Sequence, residues 1–312
     1  METQESYFRD AARLFVWYPF RWFVPKLSAT SAIRIFTVFG KIHYCIFSFQ
    51  RKTVITNLGQ TLGKDWPPAL LKKIARRYFE THYVSQLIVF LFPKLNRENI
   101  GSIHLFDGIE RLHKQLQDEK GCILLHAHFG PAHLPLFHLG LLGYAVRQLG
   151  YLRKPKGLSR VGEKVSYRLR QKYENFIPAT IIQANRFLRD AVRHLKDNGV
   201  LMATGDGTGR GDFVGKFEPV SFLGKNMLFP IGPAKLAKMT NSSIIPMFTI
   251  RNADNAPYIT VIEEPMMLFN SDNAFNEMRI TTKFVNVLES YVRKYPHLWH
   301  FWDEFSHGKL VV

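Results

Sequence analysis

Between Pro68 and Leu91, Leu70, Leu71, Ile74, Tyr78 and Phe79 recur at helical spacing, with Asp65 near the start, so the pattern predicts an amphipathic helix with a core-facing stripe. A shorter helix is predicted over Ile109–Gln117, followed by Asp118-Glu-Lys-Gly121 and an apolar run, Cys122–Leu125, that reads as a buried strand. This strand empties into His126-Ala-His128-Phe-Gly-Pro, and Pro131 is placed to open a helix that Gly143 ends after Leu142. The alternation then repeats. A helix over Asn185–Lys196 precedes a strand over Val200–Thr204 and a glycine-rich loop, Gly205–Gly211. A loop at Phe222–Lys225, a helix at Gly232–Thr240, strands at Ile244–Ile250 and Tyr258–Ile262, and a helix near Ala274–Arg293 complete the chain. Alternating strands and helices predict an α/β fold with a central, mostly parallel sheet whose functional residues gather at the carboxyl ends of the strands.

The first 64 residues break this rhythm. From Ala11 to Lys64 there is no Asp or Glu, while Arg13, Arg21, Lys26, Arg34, Lys41, Arg51, Lys52 and Lys64 are interleaved with aromatics including Phe15, Trp17, Tyr18, Phe20, Trp22, Phe23 and Phe49. Aromatic rings suit the headgroup level of a bilayer and bases meet anionic lipid, whereas runs such as Leu14–Phe20 fall short of the ~20 apolar residues a spanning helix needs. Residues 1–64 are therefore expected to be a helical, monotopic membrane-associating region, and 65–312 one α/β catalytic domain; the alternative is that these aromatics pack on the protein's own core. The opening METQESYFRD lacks the small-residue cleavage site of a secretory signal, which puts the expected location at the cytoplasmic face of the inner membrane.

Over 312 residues, 42 Lys and Arg against 25 Asp and Glu give a net charge of +17, which calls for an acidic partner. An anionic membrane surface is expected, and nucleic acid is not, because the bases concentrate where a membrane anchor would hold them. A second basic stretch carries Arg147, Arg153, Lys154, Lys156, Arg160, Lys164, Arg168, Arg170 and Lys172, and reads either as a phosphate-facing groove wall or as a solvated helix face. Two distant cysteines, Cys45 and Cys122, exclude a disulfide framework and a CxxC motif. The chain has no HExxH arrangement around its clustered histidines, no GxSxG elbow, no GxxxxGK[ST] loop and no correctly spaced GxGxxG, so no bound metal or cofactor is expected. The remaining chemistry is a histidine base acting on a substrate hydroxyl. Asp206, opening a loop after a strand, is the first candidate to support it, with Asp212 and Glu163 behind. Arg210 and Lys225 are candidates for neutralising a phosphate. Leu134, Leu136, Phe137, Leu139 and Leu141 either line an apolar tunnel or pack the core.

His128-Phe-Gly-Pro-Ala-His133 resembles the HxxxxD/E signature of the glycerolipid and lipid A acyltransferase superfamily. Further blocks follow the order of its lipid A biosynthesis (late) acyltransferases: Arg51-Lys-Thr-Val-Ile-Thr-Asn57-Leu, Gly205-Asp206, Phe222-Leu-Gly-Lys225, Gly232-Pro-Ala-Lys-Leu-Ala237, Ser243-Ile-Ile-Pro-Met-Phe248 and Leu298-Trp-His-Phe-Trp302. The resemblance covers nearly the whole chain. It implies a membrane-associated acyltransferase in which His128 takes a proton from the hydroxyl or amine of a lipid or glycolipid acceptor that attacks an acyl thioester. It also implies acyl carrier protein or acyl-CoA as donor, and substrate contacts from Arg153, Arg210, Phe222, Gly224 and Lys225. Where the family has an acidic residue, this sequence has His133. A neutral His133 can hold the tautomer of His128 but supplies no negative charge to the imidazolium, so either His133 or Asp206 is expected to partner the base. A catalytically silent relative that binds lipid or a partner is the alternative, and it predicts a blocked pocket, or no carboxylate near His128.

Overall fold

The computed structural model describes residues 7–63, 66–150, 157–183, 188–207, 215–266, 276–306 and 310–312. Its N-terminal part is helical: α1 (Tyr7–Phe15), α2 (Ala29–Ile46), α3 (Ser48–Leu62) and α4 (Pro68–Leu87). Ser28 caps α2 by accepting from the Ser31 N–H at 3.1 Å, satisfying a donor the first turn leaves open. α2 lays Ala32, Ile33, Phe36 and Gly40 inward. A Cβ on Gly40 would sit 2.5 Å from the Glu80 Cα, so α2 and α4 approach there as only glycine permits.

The body contains β1 (His104–Asp107), α5 (Ile109–Gln117), β2 (Cys122–His126), α6 (His133–Leu142), β3 (Val146–Gly150), α7 (Arg168–Glu174), β4 (Thr180–Gln183), α8 (Arg189–Lys196) and β5 (Val200–Thr204). It continues through β6 (Phe217–Phe222), β7 (Lys225–Pro230), α9 (Gly232–Thr240), β8 (Ser243–Ile250), β9 (Tyr258–Ile262) and α10 (Glu277–Lys294). Seven strands form one sheet in the order β1-β9-β8-β2-β5-β3-β4. Its pairings are parallel except for β8 with β9. The expected α/β class with a mostly parallel sheet flanked by helices is therefore observed.

The central strands are buried on both faces, as a helix-covered parallel sheet requires. Along β2, Ile123 and Leu125 join one apolar cluster with Leu201, Phe248 and the α10 residues Phe284 and Leu288. Cys122 and Leu124 join the other, which also holds Met202, Leu134, Phe137 and, from the N-terminal region, Trp17, Phe20 and Phe36. The period of two along the strand thus ties the N-terminal helices to the same core as the sheet.

Several elements differ from the sequence expectation. The helix expected from Pro131 begins at His133, and the helix predicted to Leu91 ends at Leu87 and tightens into a 3₁₀ segment, Ile88–Lys94. The expected loop at Phe222–Lys225 is the turn, Leu223-Gly224, of an antiparallel hairpin formed by β6 and β7, two strands the sequence pattern does not predict. Residues 151–156 and 208–214 lie outside the described residues, and with them Arg153, Arg210 and Asp212. No single described helix is long and apolar enough to cross a membrane; α2 and α3 reach the needed length and composition only as a pair bent by 94°.

Candidate active site

The register of β2 and β5 builds the site. His126 is paired with Thr204, and the Gly205 N–H donates to the His126 carbonyl at 2.6 Å, so the two chains leave the sheet side by side at their carboxyl ends. Two residues further along each chain stand His128 and Asp206. Asp206 Oδ1 lies 2.9 Å from His128 Nδ1, and Oδ2 accepts the His128 backbone N–H at 2.9 Å. A third donor, Trp299 Nε1, reaches Oδ2 at 3.2 Å. Asp206 is only 1% exposed. A buried carboxylate is costly unless hydrogen-bonded and paired, and here both oxygens are engaged.

Asp206 accepts from Nδ1–H, which leaves Nε2 as the basic atom of the His128 ring; that side chain is 35% exposed, so the ring is open to solvent while Asp206 is not. Burial on its own pulls His128 down, but the charge and hydrogen bond of Asp206, with the charge of Glu304, outweigh it and hold the imidazole above its ordinary value.

A strap near the C-terminus holds the loop from the other side. The Gly130 N–H donates to the Leu298 carbonyl at 2.8 Å, the His300 N–H donates to the His128 carbonyl at 2.9 Å, and Phe129 bridges Trp299. Phe301 stands 4.7 Å from the His128 ring, centroid to centroid. Gly130 has φ +61°, and a Cβ there would meet the Thr249 carbonyl oxygen at 2.5 Å, so the turn behind His128 admits glycine alone. The strap is itself anchored: Asn57 Nδ2 donates to the Trp302 carbonyl at 2.7 Å, and Tyr78 Oη donates to the His300 carbonyl at 2.9 Å. The Arg51–Asn57 block therefore reaches the site through Asn57 and the strap. Sequence reading found the tryptophan-rich block as a resemblance but assigned Trp299 no role.

His133 opens α6, and among the described residues no hydrogen bond joins it to His128. Burial and the nearby charge of Arg170 push it down to about 4, so it is neutral at pH 7. Of the two expected partners for the base, the geometry brings Asp206 to it and leaves His133 aside. Phe222 is fully buried against Trp299, Phe229 and Phe305, with centroids 5.2, 5.5 and 6.0 Å away, so it backs Trp299 from within the core and does not face a substrate. Gly224 turns the β6–β7 hairpin at φ +75°, and the neighbouring Leu223 N–H donates to Glu289 Oε2 at 2.7 Å, which pins the turn to α10. Lys225 Nζ lies 4.9 Å over the Phe305 ring. Glu163, in the π-helical turn Gly162–Tyr167, is exposed. Leu134, Leu136, Phe137 and Leu139 are core residues, and Leu141 is partly buried against the same cluster. Among the described residues no group of three His, Cys, Asp or Glu side chains is arranged to hold a metal.

A buried carboxylate behind a half-open imidazole, at the carboxyl edge of a parallel sheet, is an arrangement that can deprotonate a hydroxyl or amine and stabilise the resulting imidazolium. No curated protein matches the chain at a significant level. The sequence profile of the bacterial lipid A biosynthesis acyltransferases matches residues 5–304, and with nearly the whole chain covered this protein belongs to that acyltransferase family.

Proposed function

We propose that the protein moves a fatty acyl chain from an acyl thioester, carried by acyl carrier protein or CoA, to a hydroxyl or amine of a lipid or glycolipid acceptor, with His128 as general base. The observation that carries this reading is the His128–Asp206 pair, because it supplies from a neighbouring strand the negative charge that His133 lacks. Of the two features a catalytically silent relative predicts, a blocked pocket or no carboxylate near His128, the second is not met, because Asp206 lies beside the ring.

His128 Nε2 takes the proton of the acceptor O–H or N–H as the acceptor atom bonds to the thioester carbonyl carbon. The imidazolium so formed is stabilised by the Asp206 carboxylate, whose orientation Trp299 and the His128 N–H fix. Collapse of the tetrahedral intermediate breaks the C–S bond, and the imidazolium returns its proton to the departing thiolate.

The reaction belongs at a membrane surface. Trp22, Phe23 and Phe49 are 63%, 50% and 61% exposed, and Phe15, Ile42 and Ile46 are exposed beside them in the acid-free N-terminal region. Trp17, Phe20 and Phe36 are by contrast buried, so the aromatics divide between holding the region to the body and meeting lipid. Peripheral attachment to anionic lipid at the cytoplasmic face of the inner membrane fits this surface and the +17 net charge.

The test is transfer of labelled acyl chains from acyl carrier protein and, separately, from acyl-CoA to a total membrane-lipid extract, with products identified by mass. An acylated lipid formed by wild type is the expected result. No transfer from either donor, with the protein still bound to vesicles, would hand the assignment to the silent lipid-binding reading.

A further inference from the structure

Between α2, α4 and the β8–β9 connection lies a cleft of about 330 Å³. Arg34 and Lys41 enter it from α2, Arg77 and Glu80 from α4, and Arg251 and Asp254 from the connection. Four cations thus face two carboxylates. His297 also lines the cleft, but burial and the charge of Arg77 push it down to about 4, so it adds no charge at neutral pH.

The cations are placed for an added anion. Arg251 is fixed, its Nε donating to the Ala256 carbonyl at 2.8 Å and its guanidinium lying 4.8 Å over the Tyr258 ring. Arg34 donates through Nε to Asn255 Oδ1, and Arg77 through Nη2 to Asp254 Oδ1, each at 3.2 Å. Both acceptors sit on exposed residues of the connection, in competition with water, so phosphate oxygens offering bidentate geometry are the stronger partners for these forks. Within the same cleft, Glu80 Oε1 is buried and accepts no hydrogen bond, its nearest cation being Arg76 Nε at 3.4 Å.

What borders the cleft selects among phosphate carriers. Val38 and Ile42 are exposed on α2 one and two turns beyond Arg34, with Lys41 beside them. A phosphate held by Arg34 and Arg77 therefore sits next to an apolar helix surface along which acyl chains can lie. We propose that this cleft binds the phosphate of a membrane phospholipid headgroup, a function that does not depend on the acyl-transfer reading. Leu298 lines the cleft and its carbonyl holds the Gly130 N–H, so the headgroup lies across the strap from His128.

The experiment is titration calorimetry on the full chain carrying His128→Ala, so that binding is read without turnover. Separate arms use dihexanoyl phosphatidylglycerol below its micellar concentration, inorganic phosphate and CoA. The lipid is expected to saturate one site, with at least tenfold weaker binding in Arg34→Gln/Arg77→Gln and less than twofold change in Lys72→Gln/Lys73→Gln, which removes the same charge from exposed positions of α4 outside the cleft. Arg34→Gln alone, which removes the hydrogen bond to exposed Asn255, guards against misfolding of the double variant and is expected to weaken binding threefold or more. Equal losses in both double variants, or no loss in the cleft variants, would overturn the site. Inorganic phosphate or CoA binding there as tightly as the lipid would overturn the lipid assignment.

Discussion

Replacing Asp206 by Asn keeps the shape behind His128 and removes the charge. The carboxylate contacts Nδ1 at 2.9 Å, and with charge centres roughly 4 Å apart an effective dielectric near 20 gives about 4 kcal/mol between imidazolium and carboxylate. Because the ring is 35% exposed, solvent screening brings this to ~2–4 kcal/mol, a fall in kcat of roughly 30- to 1,000-fold. The pH profile of kcat/KM adds a signature that loss of fold would not produce. His128 must be neutral to act, so activity rises with pH through its pKa, which Asp206 holds above the ordinary histidine value against the pull of burial. Without the charge, burial dominates and the acidic limb moves to lower pH. The assay is initial-rate acyl transfer across pH 5–9 on wild type and Asp206→Asn, with folding checked by circular dichroism. A fall of less than about threefold, or an unmoved limb, would refute the role given to Asp206.

Three further outcomes are expected. Trp299→Phe keeps an aromatic in the cage with Phe222 and Trp302 but removes the donor to Asp206 Oδ2; steady-state kinetics should show kcat lowered roughly tenfold with KM little changed, as loss of one charge-assisted hydrogen bond implies. Acid should destabilise the fold before carboxylates titrate: burial pushes His126, His133 and His297 down to about 4, so the unfolded chain binds their protons first, and stability falls as pH drops from about 6.5 towards 4, by several kcal/mol in all. His128 acts with the opposite sign, its contribution fading as pH rises through its raised pKa; urea midpoints at pH 7.5 and 5.0 measure the balance, and equal midpoints would contradict it. At the membrane, Trp22→Ala/Phe23→Ala/Phe49→Ala should weaken binding to anionic vesicles at least tenfold in a sedimentation assay while leaving the melting temperature near wild type, because all three rings are exposed.

The parts of the fold that could be read from sequence are those where one signal was strong and local. Cys122–His126 and Val200–Thr204 are apolar runs closed by loops, and Ile109–Gln117 and Gly232–Thr240 carry helical periodicity with clear ends. The missed strands lack that signal: His104–Asp107 and Thr180–Gln183 are four-residue edge strands with polar members, and the β6–β7 hairpin turns on Leu223 at φ +52°, a conformation leucine adopts here because its side chain is buried and its N–H is held by Glu289. Asp206 was nameable because it follows a predicted strand, but its pairing with His128 depends on β2 and β5 being adjacent and in register across 78 residues. The contact of Trp299 with Asp206 spans 93 residues and has no local signature at all. The N-terminal aromatics show the same limit. Composition marks the region, but only packing separates Trp17, which is buried against Phe90, from Trp22, which faces outward.

The central claim is that His128, oriented by Asp206 and not by His133 and stabilised by it as the imidazolium forms, is the base of an acyl transfer. Single-turnover transfer from a labelled acyl thioester to membrane lipid, compared between His128→Ala and His133→Ala, tests it most directly. The account predicts that His128→Ala falls to background while His133→Ala keeps its rate within a few-fold of wild type. Transfer that survives His128→Ala, or that is lost as completely in His133→Ala as in His128→Ala with both proteins folded, would contradict it.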